Sequence, residues 1–136
     1  MARPKSYRDI IVWQKAMALA RSVYALTDAL PRREANGLVD QMRRAAVSVA
    51  SNIAEGFVRL SDLQFRHFLG NARGSQYEMQ TQAELAIDLG YLEKEKGNRL
   101  IEQGWEVARI LNGLLSSLKS NPANPANSTK KDTNVS

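Results

Sequence analysis

Residues 37–56 read GLVDQMRRAAVSVASNIAEG, and this stretch decides the fold. Its apolar side chains, Leu38, Met42, Ala45, Ala46, Val49 and Ile53, recur at steps of three and four. That spacing makes one face of an α-helix. The packing face is built largely from small residues, Ala45, Ala46, Ser48, Ala50, Ser51 and Ala54. Small side chains at a helix contact shorten the distance between axes, so a neighbouring helix comes close. Gly56 is a natural C-terminal stop. The stretch reads as a helix over about 37–55 made to pack against other helices.

Three more helices follow from the same reading outward. A first helix is expected over about 7–29, where Ile10, Trp13, Met17, Ala20, Tyr24 and Thr27 make one face. Leu30-Pro31 ends it, because the residue before proline is pushed out of the helical region. A third helix is expected over about 61–89. It opens with Ser61 and Gln64 in capping-box spacing, in which each side chain satisfies an orphan backbone donor. Phe65, Phe68, Leu69, Ala72, Met79, Ala83, Ala86 and Leu89 follow, and Gly90 closes it. Gly70 and Gly74 lie inside this helix, each at a cost of about 1 kcal/mol relative to alanine. Close backbone approach is the usual compensation. A fourth helix spans about 93–118, with Leu100, Ile101, Trp105, Ala108, Leu111, Leu115 and Leu118. Gly97 and Gly104 weaken its first half and argue for a later start. No segment alternates with period two, so no sheet is expected. Short connections between such helices give an antiparallel up-down-up-down four-helix bundle, an all-α domain over 1–119. Residues 120–136 contain no aromatic residue and are dense in Asn, Pro, Ser and Thr, the composition of a disordered polar tail.

Composition bounds the function. The 136 residues make one domain, and 43% hydrophobic content suffices for a core without staples. The chain has no cysteine, which removes disulfides, thiolate metal sites and thiol catalysis, and fits a reducing compartment. No stretch approaches the roughly 20 apolar residues of a membrane span, and the N-terminus lacks the apolar segment of a secretory signal. The expectation is a cytoplasmic protein without membrane contact. The net charge is +5, and residues 1–33 carry it all, with seven Lys/Arg against Asp9 and Asp28. A basic region of this kind suits a phosphate-bearing partner or simply keeps a surface soluble.

Catalytic chemistry finds no foothold. The single histidine, His67, has no converging partner for acid–base work or metal binding. There is no phosphate-cradling glycine loop and no nucleophile elbow. Glu84 and Asp88 are one turn apart, but the Glu-x-x-His pairs of a di-metal bundle do not occur. No enzyme activity, metal or cofactor is expected. Arginine is the informative residue. Arg59, Arg66 and Arg73 recur every seven residues, and Arg43-Arg44 precede the small-residue run. They read as a phosphate-contacting ridge or as an ion-pair network with Glu55, Glu78, Asp40 and Asp62, within one chain or between chains. For Arg44 the ion-pair reading is preferred; for Arg59, Arg66 and Arg73 both stand. The rings Tyr7, Trp13, Phe57, Phe65, Phe68, Tyr91 and Trp105 are many for a short bundle. The third helix is apolar on more than one stripe, which points to a closed symmetric homo-oligomer.

Three stretches together resemble a known family: WQKA at 13–16, QMRRAAVSVASNIAEG at 41–56, and FLGNARGS at 68–75 followed by Glu78. They are similar to the four-helix bundle proteins encoded by intervening sequences of bacterial 23S ribosomal RNA genes. The resemblance covers about residues 7–118. It implies an antiparallel bundle assembled into a homopentamer, with no established enzymatic activity. It also extends to the accessory variability determinant proteins of diversity-generating retroelements, which bind nucleic acid and a reverse transcriptase through a basic surface. The positions carried over are Arg43, Arg44, Arg59 and Arg73, and the residue reading adds Arg66. The resulting expectation is an RNA- or DNA-associated bundle protein. Its alternative is a scaffold docking another polypeptide, with the arginines in structural ion pairs.

Overall fold

Four α-helices carry residues 4–119, the part of the chain that this computed structural model describes. They are α1 (Ile11–Thr27), α2 (Leu38–Phe57), α3 (Asp62–Asp88) and α4 (Lys94–Lys119). Short 3-10 turns at Tyr7–Asp9 and Arg32–Glu34 lead into α1 and α2. No strand occurs among the described residues. The tail expected over 120–136 lies outside them.

Each helix boundary has a local cause. At the start, the Ser6 side chain accepts from the Arg8 amide at 3.1 Å and closes a separate turn. Ile10 is then extended, so α1 begins at Ile11 and not at the expected Tyr7. Before Pro31 the chain tightens, with Ala29 and Leu30 amides bonding to Leu26 and Thr27 carbonyls, and α1 ends at Thr27. The Ser61 side chain accepts from the Gln64 amide at 3.2 Å and starts α3, as its capping spacing requires. Gly90, at φ 77°, ends α3. Its amide bonds to the Ile87 carbonyl and that of Tyr91 to Ala86, the two bonds of a Schellman motif.

Three expectations about glycine are reversed. The fourth helix does not start late: it runs from Lys94 through both Gly97 and Gly104. These glycines are where α4 lies hard against α3. A Cβ at Gly97 meets the Ile87 side chain at 2.5 Å, and one at Gly104 runs into the Gln76 amide. Gly70 and Gly74, expected to mark close approach, have nothing of their own chain within 4 Å of a Cβ. Gly56 is also no stop, since α2 continues to Phe57. A Cβ there meets the Phe68 Cβ at 2.8 Å, so Gly56 sets the spacing between α2 and α3.

The contacts are sequential, α1 with α2, α2 with α3 and α3 with α4, and α1 also packs on α4. The helices therefore occupy the corners of a square, and the α1–α2 edge lies opposite the α3–α4 edge. Between α2 and α3 numbers rise on one helix as they fall on the other: Ser48 bonds to Ser75, and Gly56 meets Phe68. The core holds Leu19, Met42, Ile53, Leu69, Met79 and Leu111, all essentially inaccessible. Each such side chain contributes about 1.5–3 kcal/mol by burial.

All six apolar positions read for α2 are buried. On α1 the buried face is Val12, Ala16, Leu19, Ala20, Val23 and Thr27, which keeps only Ala20 and Thr27 of the expected stripe. Trp13 and Met17 are only half-buried, and Tyr24 is exposed. The stripe read from the sequence sits one residue round the helix from the core.

Candidate nucleic-acid interface

The five arginines separate into two that the fold has engaged and three that it leaves available. Arg43 is engaged. Its Nε donates to Thr27 Oγ1 at 2.9 Å, and its Nη2 donates to the Tyr24 carbonyl at 3.2 Å and to Asp28 Oδ1 at 2.9 Å. The guanidinium also lies over the Tyr24 ring, 4.5 Å from its centroid. Asp28 is largely exposed, so the ion pair alone is worth under about 1 kcal/mol. The bonds to Thr27 and Tyr24 are what pin α2 to the end of α1.

Arg59 is engaged too. It lies in the turn after α2, paired with Glu55 and stacked 4.8 Å from the centroid of Phe68. Phe68 faces α2, so Arg59 turns to that side. Arg73 turns the other way, its Nη1 donating to Asn112 Oδ1 on α4 at 2.9 Å. The seven-residue recurrence of Arg59, Arg66 and Arg73 therefore does not build one ridge.

Arg44, Arg66 and Arg73 remain. Arg44 is exposed and has no carboxylate partner of its own chain among the described residues. Of the four carboxylates expected in the network, only Glu55 takes an arginine among the described residues of the chain. Arg66 is half-buried and also unpaired among the described residues, with its Nε enclosed. Arg73 is exposed and spends one nitrogen on Asn112, leaving further donors for a ligand.

Arg44 opens onto a polar cleft of about 280 Å³ between α2 and α3, lined also by Gln41, Ser48, Glu78 and Gln82. Below it the seam continues as Asn52 donating to Ser48 Oγ, which bonds to Ser75 Oγ at 2.8 Å. Gln82 is buried and its Oε1 has no partner. The cleft pairs donors on Arg44 with an acceptor on Glu78. It suits a ligand carrying both kinds of group better than a bare anion, which Glu78 repels.

Sequence reasoning missed this polar seam. It also missed Gln76, wholly buried with its Nε2 donating to Gln80 Oε1 at 3.2 Å and its own Oε1 unpaired. The signal was present: Gln76 continues the core period of Leu69, Ala72, Met79 and Ala83. His67 is exposed beside Asn71, at 3.4 Å. No group of three metal-ligating side chains occurs among the described residues, and no helix there is long and apolar enough to cross a membrane.

A family model described as 23S rRNA-intervening sequence protein matches residues 8–113. The chain belongs to that family. The match spans all of α1, α2 and α3 and most of α4. Among solved structures, the fold resembles a protein of unknown function from the S23 ribosomal protein family of Bacteroides thetaiotaomicron. The TM-score is 0.72 at 22% identity, covering 77% of this chain and 98% of that one. None of the curated proteins matches. Neither the family nor the site geometry points to catalysis.

Proposed function

We propose that this 23S rRNA-intervening sequence protein is a non-enzymatic, cytoplasmic, homo-oligomeric nucleic-acid-associated protein. In this reading it is an up-down-up-down bundle that forms a homopentamer and contacts RNA or DNA through Arg44, Arg66 and Arg73. One observation carries the reading: these three guanidiniums have no carboxylate partner among the described residues, although the fold contains acids enough to pair them. Arg43 and Arg59 act in the same reading as structural clamps.

The test is equilibrium binding of a structured RNA to the full chain across a salt series. With three phosphate contacts, affinity falls by about two to three log units per log unit of salt. Replacing Arg44, Arg66 and Arg73 one at a time by glutamine lowers that slope by about one each. Replacing Arg43 or Arg59 lowers stability and leaves the slope unchanged. Absence of binding to RNA and to DNA at low salt overturns the reading.

The competing reading is a scaffold that docks another polypeptide. The observation in its favour is an apolar groove on the α1–α2 edge, lined by Trp13, Met17, Tyr24 and Val47.

A further inference from the structure

The polar cleft between α2 and α3 holds more hydrogen-bonding capacity than the fold uses. Ser48 with Ser75 and Gly56 with Phe68 set the register of the two helices. In that register Gln41 lies across from Gln82, and Ala45 from Glu78. Arg44 is next to Ala45, so four polar side chains, Gln41, Arg44, Glu78 and Gln82, line one opening. None of the four side chains makes a hydrogen bond or an ion pair among the described residues. The opposite charges of Arg44 and Glu78 flank the same space and leave it unbridged. Gln82 is 9% exposed, and no donor reaches its enclosed Oε1. A buried amide oxygen without a partner is costly, and a ligand that supplies the missing bond removes the penalty. An amide held by nothing turns about its last torsion, so its oxygen or its nitrogen can face the opening.

The donor set specifies the ligand. Arg44 is exposed and donates only, which suits a phosphate at the mouth of the cleft. Glu78 accepts only, through two oxygens side by side, and repels an anion. The ligand therefore carries an anion at one end and paired donors at the other, as a nucleotide does. The volume of about 280 Å³ lies just under the roughly 300–1,000 Å³ of a drug-sized site, room for one base and not for a duplex. Guanine alone among the bases puts two donors next to each other on its Watson–Crick edge, the ring N1–H and the N2 amino group. Adenine and cytosine set their amino group beside a ring nitrogen acceptor, and uracil sets its one N–H between two carbonyls. A carboxylate meets a lone pair in each of those three. The amides of Gln41 and Gln82 are left to donate to guanine O6 and to accept the remaining amino hydrogen.

We infer that this cleft is a guanine-binding site, in which Arg44 holds a backbone phosphate at the mouth while Glu78, with Gln41 and Gln82, reads the Watson–Crick edge of the adjoining guanine. That edge is free only in an unpaired nucleotide, so the site selects loops, bulges and single strands. The inference rests on the nucleic-acid reading above and adds which base is preferred and where it is read.

The experiment is equilibrium binding of the full chain to a hairpin RNA whose uridine loop contains one guanine, compared with the same hairpin carrying inosine or adenine there. Inosine keeps N1–H and O6 and lacks the N2 amino group. Guanine binds about ten- to a hundredfold tighter than adenine, as for a bidentate base contact, with inosine between them. Glu78→Gln brings the three affinities together and leaves the salt slope unchanged, because Glu78 touches no phosphate. Glu78 is exposed and unpaired among the described residues, and the inosine comparison makes the same test without any substitution. Equal affinity of the wild-type protein for the three hairpins, with the salt slope intact, overturns the inference and leaves the nucleic-acid reading standing. A guanine preference that survives Glu78→Gln overturns the assignment to this cleft. Competition by guanosine monophosphate as strong as by the hairpin assigns the site to a free nucleotide and overturns its role on a strand. No binding of any hairpin at low salt overturns both readings.

Discussion

Adding one methyl group to this chain has opposite effects at Gly56 and at Gly74. At Gly56 an alanine Cβ lies 2.8 Å from Phe68 Cβ and 3.0 Å from Phe65 Cδ1. Phe68 Cβ is fixed to the α3 backbone, so relief requires the two helices to separate. Overpacking of this kind costs about 1–3 kcal/mol. Gly56 is next to last in α2, where better helix propensity returns little, so the net loss is about 1–2 kcal/mol. At Gly74 a Cβ has nothing within 4 Å, in the middle of a 27-residue helix. Alanine there gains about 1 kcal/mol from propensity alone. The two variants therefore differ by about 2–3 kcal/mol. With a urea m-value of about 2 kcal/mol/M for a domain of this size, their midpoints differ by about 1–1.5 M. The assay is urea unfolding followed by far-ultraviolet circular dichroism, at a concentration low enough that assembly does not contribute. A Gly56→Ala midpoint at or above wild type would show that the α2–α3 spacing has slack. A Gly74→Ala midpoint below wild type would show that part of the same chain packs on that glycine. Either result refutes the reasoning.

Replacing Gln76 by methionine alone strands Gln80 Oε1 and destabilises the fold by about 1–3 kcal/mol, whereas the double change to Gln76→Met and Gln80→Met is neutral or stabilising; thermal unfolding of the two singles and the double closes the cycle. Ser61→Ala removes the acceptor for the Gln64 amide and costs about 1 kcal/mol. The loss shows as faster amide exchange confined to the first turn of α3.

The second helix was legible because its apolar stripe is single. Met42, Val49 and Ile53 have polar or small neighbours on either side, so period and burial agree. The first helix was misread by one residue because it carries two stripes of similar hydrophobicity. Periodicity says that each is a face and cannot say which one meets the core. The bulky choice, Trp13 with Tyr24, was the outer one. The arginines were legible as a set and illegible in their roles. Asp28 is fifteen residues from Arg43 in the chain and reaches it only through the packing of α1 on α2. Arg44, one position further round the same helix, points past that contact to the α2–α3 cleft. Gln76 was hidden by its own chemistry, since a core position filled by an amide reads as surface.

The glycines show how far the subunit alone accounts for its sequence. Gly56, Gly97 and Gly104 each sit where a neighbouring helix occupies the space of a Cβ, so their weak helix propensity is offset by packing within the chain. Gly70 and Gly74 carry the same penalty, about 2 kcal/mol together, with no offset inside the chain. They share their side of α3 with Tyr77, whose contact with Trp105 leaves both rings two-fifths exposed. On the far edge, Trp13 and Met17 pack only partly against the core and, with the exposed Tyr24, line a groove open to solvent. A free monomer would be more stable with alanine at the two glycines and more soluble with polar residues at the rings. The sequence nevertheless keeps glycine at both positions and the rings at the surface, and packing within the described part of the chain accounts for neither choice.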